Sequence, residues 1–463
     1  MSMSERDAPS VQDLAAIDRD VARTYARWRE WRRALFEDPE AHAADDPFAA
    51  PWARRCAGKS TYDALRVDAP SAFEAPWRDG LRAWVAVLVQ ARLTRDVDVA
   101  LARAVHAPRG VFRFGGASRL VAWRDVWRGV LTEPSRAGAI AWLDAATELA
   151  GGVGALARER AERRVEVGRR LGAAEPAYPH VPAGPSPAAF ARALLDATDD
   201  VARAELAAAR RREDLAGSEP SPVFAIRAAL ARDAGDGWPA HLTARWLDDL
   251  FGAYTAGLRI EPPRLPRAIG AASFARALEG FGAAYRAAAG VAGGGPFALA
   301  STPYPTDAYR VGAAFGAAPQ ARAFHVRALG TSARVAAAQA RQMAASHLFE
   351  VRRRSLAPLL SDPSSPPAPD EFEALTARVL GAPLPAAFRF AWPAAHDDEP
   401  ARVRALATAL PLLRHLVDRF DEDWFRNPRA FEALRGSLVE EPADAAPADL
   451  AAALAGALEH ALG

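Results

Sequence analysis

Cysteine is nearly absent from this chain of 463 residues, where Cys56 stands alone. That excludes an intrachain disulfide framework and any multi-cysteine zinc or iron–sulfur site. Lysine is as scarce: Lys59 is the single one, so the other 57 basic residues are arginine. No long apolar run exists either. The cleanest, Trp84 to Val89, is far too short to span a bilayer. The start, Met1 to Asp7, is polar and runs into an amphipathic stretch with no apolar signal-peptide core, so the expectation is a cytoplasmic protein.

Net charge is also missing. Fifty-eight basic residues against 57 acidic leave +1, so no whole-chain field draws the protein to nucleic acid or to a membrane. What is abundant is alanine, roughly a quarter of the chain, with half of all residues apolar and a quarter charged. A coding bias toward alanine, arginine, glycine and proline accounts for both the alanine and the arginine. The alanine still has a structural consequence, because it is the strongest helix former. This length and composition suit two or three domains, or one large helical body with a real core.

Helical periodicity dominates. Val11, Leu14, Ile17, Val21, Tyr25, Trp28, Trp31 and Leu35 recur at three- and four-residue steps, with Ser10 placed to cap the helix. Leu406, Leu410, Leu413, Val417, Phe420 and Trp424 repeat the pattern. Segments 137–172, 186–215, 239–258, 271–289, 319–357 and 370–380 read as helices too. The best strand candidate is Val111 to Trp123, with Gly115-Gly116 able to turn a hairpin, and Phe388 to Trp392 is a second extended candidate. Proline and glycine clusters punctuate the pattern at 175–187, 261–266, 290–296 and 361–369. The expected fold is therefore all-α, a large two-lobed helical body with at most a short β-hairpin. The lobes are expected at 1–182 and 183–463, the break falling in the first proline cluster.

Most local motifs dissolve on inspection. Ala53 to Ser60 is nearly a phosphate-binding loop, but alanine replaces its first glycine and no strand precedes it. The nine histidines are 42, 106, 180, 241, 325, 347, 396, 415 and 460, and no two stand four apart as a helical metal site needs. His396-Asp-Asp-Glu399 reads as solvated charge. Arg158, Arg160, Arg163, Arg164, Arg169 and Arg170 alternate with glutamates, the pattern of an ion-paired solvent face. Arg210-Arg-Arg212 and Arg352-Arg-Arg354 lack the interleaved aromatics of a nucleic-acid platform. No Gly-x-Ser-x-Gly elbow exists, and Cys56 has no catalytic signature around it.

Three stretches taken in order, Phe112 to Arg136, Arg158 to Gly172 and Leu416 to Arg435, resemble helical zinc metallopeptidases of the thimet oligopeptidase and oligoendopeptidase F type. Between them lies Ser273 to Ala289, similar to the helix that carries His-Glu-Phe-Gly-His in that family. Setting its Phe-Gly on Phe281-Gly282 places Glu279 at the first zinc histidine, Gly280 at the catalytic glutamate and Ala283 at the second zinc histidine. Asp307 then falls near the family's third ligand, a glutamate.

The resemblance thus implies a peptidase-like body without peptidase chemistry. Alanine cannot ligate, and glycine cannot take a proton from a metal-bound water. No metal and no other cofactor is expected. The expected role is binding a peptide or protein partner in a central cleft, with Phe281, Tyr285, Tyr309 and His325 among its candidate residues. Two alternatives remain open: a hydrolase using an unrecognised site built on Glu279, Asp307 and His325, or a structural helical scaffold whose partners bind outside.

Overall fold

The computed structural model of the chain describes residues 11–66, 74–173, 186–212, 222–230, 247, 250–258, 260, 271–360, 367–391, 398–436 and 445–463. Among them the protein is all-α apart from one two-stranded hairpin. The N-terminal part holds α1 (Val11–Glu37), α2 (Glu74–Leu93) and α3 (Arg95–His106). The hairpin β1 (Gly110–Phe114) and β2 (Ala117–Val121) leads into α4 (Trp123–Thr132) and α5 (Arg136–Arg170). Then follow α6 (Pro187–Arg212), α7 (Ala271–Ala292), α8 (Thr306–Ala317), α9 (Ala333–Leu360) and α10 (Pro369–Leu380). The chain ends in α11 (Glu399–Phe420), α12 (Pro428–Arg435) and α13 (Pro447–Leu462). No helix of the described residues is long and apolar enough to cross a membrane.

Local chemistry explains several boundaries. The Ser135 hydroxyl accepts a hydrogen bond from the Gly138 amide and starts α5, whose last turn carries Arg169 and Arg170 beside the exposed carbonyls. Gly381, at φ 85°, ends α10 in the left-handed conformation that a side chain would strain. In the hairpin, Gly115 and Gly116 both have positive φ, 62° and 80°, as a tight two-residue turn demands. The pairing runs from Phe114 opposite Ala117 to Gly110 opposite Val121, antiparallel throughout.

Other expectations are corrected. Of the extended candidate Phe388 to Trp392, the described part is not a strand: Phe388 closes a 3₁₀ turn at Ala386–Phe388, Arg389 to Ala391 continue as turn, and Trp392 lies outside the described residues. Segment 319–357 is several pieces, broken by turns before α9. The loop-like motif at 53–60 lies in two short helices around Gly58, with Lys59 paired to Asp63 at 2.7 Å. Ser10, half of 239–258 and most of the clusters at 175–187 and 361–369 lie outside the described residues, as does all of 261–266.

Three apolar clusters form the interior. One joins α1, α2 and neighbouring turns. A second joins α7, α8, the end of α11 and α12 through stacked and edge-on aromatics. The largest spans the hairpin, α4 and the first half of α5 together with α6, α9, α10, α11 and α13, so residues on both sides of 182 share one core. Asp18 ties across the same boundary. Its buried carboxylate accepts from the Trp77 indole at 3.1 Å and from the amides of Phe297 and Ala298 at 2.7 and 2.9 Å.

Helices α7 and α8 pack closely, and glycine permits it. A Cβ at Gly312 would stand 2.6 Å from the Glu279 carbonyl oxygen, well inside contact distance. Gly456, on the exposed face of α13, has nothing within 4 Å. Gly312→Ala should therefore destabilise the protein by about 1–3 kcal/mol through overpacking. Gly456→Ala should stabilise it by about 0.5–1 kcal/mol through helix propensity. Urea midpoints of the two variants against the wild type check the opposite signs.

Candidate functional site

The residues singled out from the sequence do not converge. Glu279 lies on α7 facing α9, and its carboxylate is gripped end-on by Arg354. Nη1 donates to Oε1 at 2.7 Å and Nη2 to Oε2 at 2.6 Å. Gly280 is exposed, and Ala283 packs on α8 where Gly312 approaches. Asp307 is exposed at the start of α8, 3.7 Å from Arg286. Gly316, which abuts Glu279, is nine residues further on, or about 13 Å along the helix axis.

The candidate cleft residues are dispersed as well. Phe281 is buried and stacks on Phe251, with ring centroids 4.5 Å apart. The buried Tyr285 hydroxyl donates to the Phe431 carbonyl at 2.9 Å and accepts from Arg435 Nε at 2.7 Å. His325 is fully buried, with Nε2 placed 2.6 Å from the Pro319 carbonyl oxygen. Burial pushes its pKa down, opposed only by that hydrogen bond. Tyr309 sits between two opposite charges. Its hydroxyl donates to Asp398, and the Arg402 guanidinium lies over its ring at 4.3 Å.

What the sequence reading passed over is the partner set of Glu279. On α9, Glu350 accepts from Arg354 Nε at 3.0 Å and from both ends of the Arg353 fork at 2.8 and 2.9 Å. On α11, Arg402 pairs with Asp398 at 3.1 Å. Three carboxylates, Glu279, Glu350 and Asp398, are thus paired with three guanidiniums, Arg353, Arg354 and Arg402.

Their ionisation follows from this balance. Burial pushes the Glu279 carboxyl up, but the charge and hydrogen bonds of Arg354 outweigh it and hold it below its usual range. Glu350 is held down more strongly, burial again being overcome by Arg353 and Arg354. His347, one turn before Glu350, is pushed down to about 4 by burial and by the Arg354 charge, against the opposing pull of the two glutamates. It is therefore neutral near pH 7. Burial and the Asp398 carboxylate push the Tyr309 hydroxyl well above its usual range.

The space left here is small. A niche of about 30 Å³, lined by Glu279, Ser346, His347, Glu350 and Arg354, has room for a water or two. A larger hollow of about 550 Å³ lies elsewhere, between α11 and α12, over Leu412, Leu416 and Phe420 and beside Arg419 and Arg429.

Two expected solvent faces are corrected in part, and a third basic run proves interior. Arg352-Arg-Arg354 is interior: Arg352 is 1% exposed and bonds Thr198 Oγ1 at 2.7 Å, Asp199 at 2.9 Å and the Arg378 carbonyl at 2.6 Å. In the basic half of α5, Arg158–Glu162, Arg163–Glu159 and Arg170–Glu166 are exposed pairs as expected. Arg160, however, is buried on Asp98 at 2.6 Å. Of His396-Asp-Asp-Glu399, Asp398 holds Arg402 and Tyr309 and Glu399 is buried, while His396 lies outside the described residues. The signal for an interior α9 was present, since small and apolar residues recur on all its faces.

The residues at the peptidase-like positions do not fit a zinc ion. Both oxygens of Glu279 are held by a guanidinium, Gly280 and Ala283 offer no donor, and Asp307 is two turns away. Among the described residues, no group of three or more His, Cys, Asp or Glu side chains is placed to hold a metal. Cys56 is buried, and burial with the nearby Asp20 charge pushes its thiol up to about 12. Compared with known proteins, the chain matches no family model, no curated protein and no solved structure.

Two tests follow from these charges. Arg354→Met leaves Glu279 buried without its cation and should cost about 3–5 kcal/mol at pH 7, with much of this recovered by adding Glu279→Met. The Glu279 and Glu350 carboxyls lie below the unfolded value of 4.5, so wild-type stability from them is present above that pH and lost as pH falls below it. His347 adds a loss as pH falls from 6.5 toward 4, because only the unfolded chain takes up that proton. Urea midpoints at pH 7 and pH 4 should show the Arg354→Met deficit shrinking at the lower pH, and His347→Gln should flatten the wild-type slope between 6.5 and 4. Cys56, for its part, should resist iodoacetamide in the native protein and react once urea unfolds it, as mass spectrometry of the modified chain would show.

Proposed function

We propose that this chain is a catalytically silent helical protein that works by binding a peptide or protein partner. The observation that carries this is the fork of Arg354 on Glu279, with the same guanidinium also on Glu350. A carboxylate whose two oxygens each accept a charge-assisted hydrogen bond is a poor base and a poor metal ligand. The position that resembles a first zinc ligand is thereby part of the packing between α7 and α9.

The hydrolase alternative needs Glu279, Asp307 and His325 in one cleft, and their separate settings speak against it. The scaffold alternative gains from the narrowness of the niche at Glu279, which takes no peptide. On this reading a partner is met at surfaces away from Glu279. The peptidase resemblance then concerns ancestry and body plan, and the activity is binding.

Metal analysis of purified protein together with cleavage of a quenched fluorescent peptide tests the reading. The expected result is zinc far below one equivalent and no chelator-sensitive cleavage. Stoichiometric zinc with cleavage that a chelator abolishes would overturn it.

A further inference from the structure

The hairpin offers an open edge. A two-residue turn at Gly115-Gly116 makes Phe114 and Ala117 the first hydrogen-bonded pair, and the antiparallel register alternates from there. The backbone groups of Val111, Arg113, Ser118 and Leu120 therefore point away from the partner strand. On β1 this outer row is occupied: α5 packs against the strand, and Glu148 accepts from the Val111 amide at 3.0 Å and from Arg113 at 2.9 Å. On β2 it is not. Among the described residues nothing bonds the outward amides and carbonyls of Ser118 and Leu120.

Side chains mark the same edge. Leu120 is 62% exposed, the most exposed large apolar residue described. Proteins blunt such edges with proline, bulges or charges pointing out over the strand. Here β2 has no proline, the register has no bulge, and Arg119 is turned onto the rings of Phe112 and Trp142 at 5.0 and 5.2 Å. Around the hairpin stand Arg109, Arg113, Arg119, Arg124 and Arg128, of which Arg113 pairs with Glu148 while Arg124 and Arg128 share Asp125.

We propose that β2 is a docking edge that accepts an extended acidic segment of a partner protein as a third strand. The five residues of β2 span about 17 Å, room for a segment of similar length. Main-chain hydrogen bonds to Ser118 and Leu120 supply the pairing, and an apolar residue of the incoming strand covers Leu120. Acidic residues answer the surplus of arginine. That surplus also argues against a second copy of this chain, which would bring the same five arginines against themselves. The proposal supplies a surface and a partner chemistry for the binding role proposed above, and rests on that role.

Fluorescence anisotropy with a labelled heptapeptide of alternating Glu and Val tests it. The expected result is saturable binding that weakens with salt, and that is lost when alternate backbone amides of the peptide are N-methylated. The Lys/Val counterpart should bind at least about tenfold more weakly. Leu120→Pro removes an outward amide without touching the ladder to β1, and with helicity unchanged by circular dichroism it should weaken binding by a similar factor. Absence of saturable binding, equal binding of the Lys/Val or N-methylated peptide, or concentration-dependent self-association abolished by Leu120→Pro would each overturn the proposal. The N-methylated probe keeps the test valid if the protein variant fails to fold. None of these outcomes depends on zinc content or peptide cleavage, so failure here leaves catalytic silence standing, and chelator-sensitive cleavage would overturn the silence without touching the edge.

Discussion

The carboxylate of Glu279 must be neutralised where α7, α8 and α9 meet, and much of the surrounding structure answers that constraint. A charge in such a place is tolerated only when paired and fully hydrogen-bonded. Arg354 supplies the pairing from α9 and reaches Glu350 on its own helix with the remaining nitrogen. Gly312 and Gly316 let α8 lie close against Glu279 from the other side. The lock therefore needs bulk and charge on α9 together with the absence of side chains on α8.

Arginine recurs as the interior crosslinker. Arg352 joins α9 to α6 and to the end of α10 through Thr198, Asp199 and the Arg378 carbonyl. Arg160 joins α5 to α3 through Asp98. Arg286 on α7 donates to the carbonyls of Leu434, Arg435 and Gly436 where α12 ends. A guanidinium suits these places because its planar fork serves several acceptors at once and stays charged when buried. Coding bias accounts for how much arginine there is, and burial accounts for where it works.

Much of the fold was legible. The three- and four-residue apolar steps of α1 are one-sided, and Leu14, Val21, Trp28, Trp31 and Leu35 of that pattern are buried, whereas at the end of α11 the pattern's Leu413 and Val417 are half-buried and Leu412 and Leu416 take the core. The hairpin was legible because two adjacent glycines admit the positive φ that the turn requires. Phe388 to Ala391 form a turn because aromatic and apolar residues fill a gap between helices as readily as they fill a strand. The site was legible only in part. Glu279 was picked out through its register with a peptidase helix, whereas Arg354 lies 75 residues away on another helix.

By itself, the sequence settled the helical class, the hairpin and its turn, and the lack of any paired histidine ligands, since each depends on residues close together along the chain. Only the tertiary structure decided which charges are interior, that Glu279 serves Arg354 while Asp307 lies two turns away, and that one core spans residue 182. Those outcomes depend on which helix faces which, and pairing across 75 or more residues leaves no local periodicity to read. The scarcity of cysteine and lysine told what was excluded, and the placement of arginine told what holds the protein together.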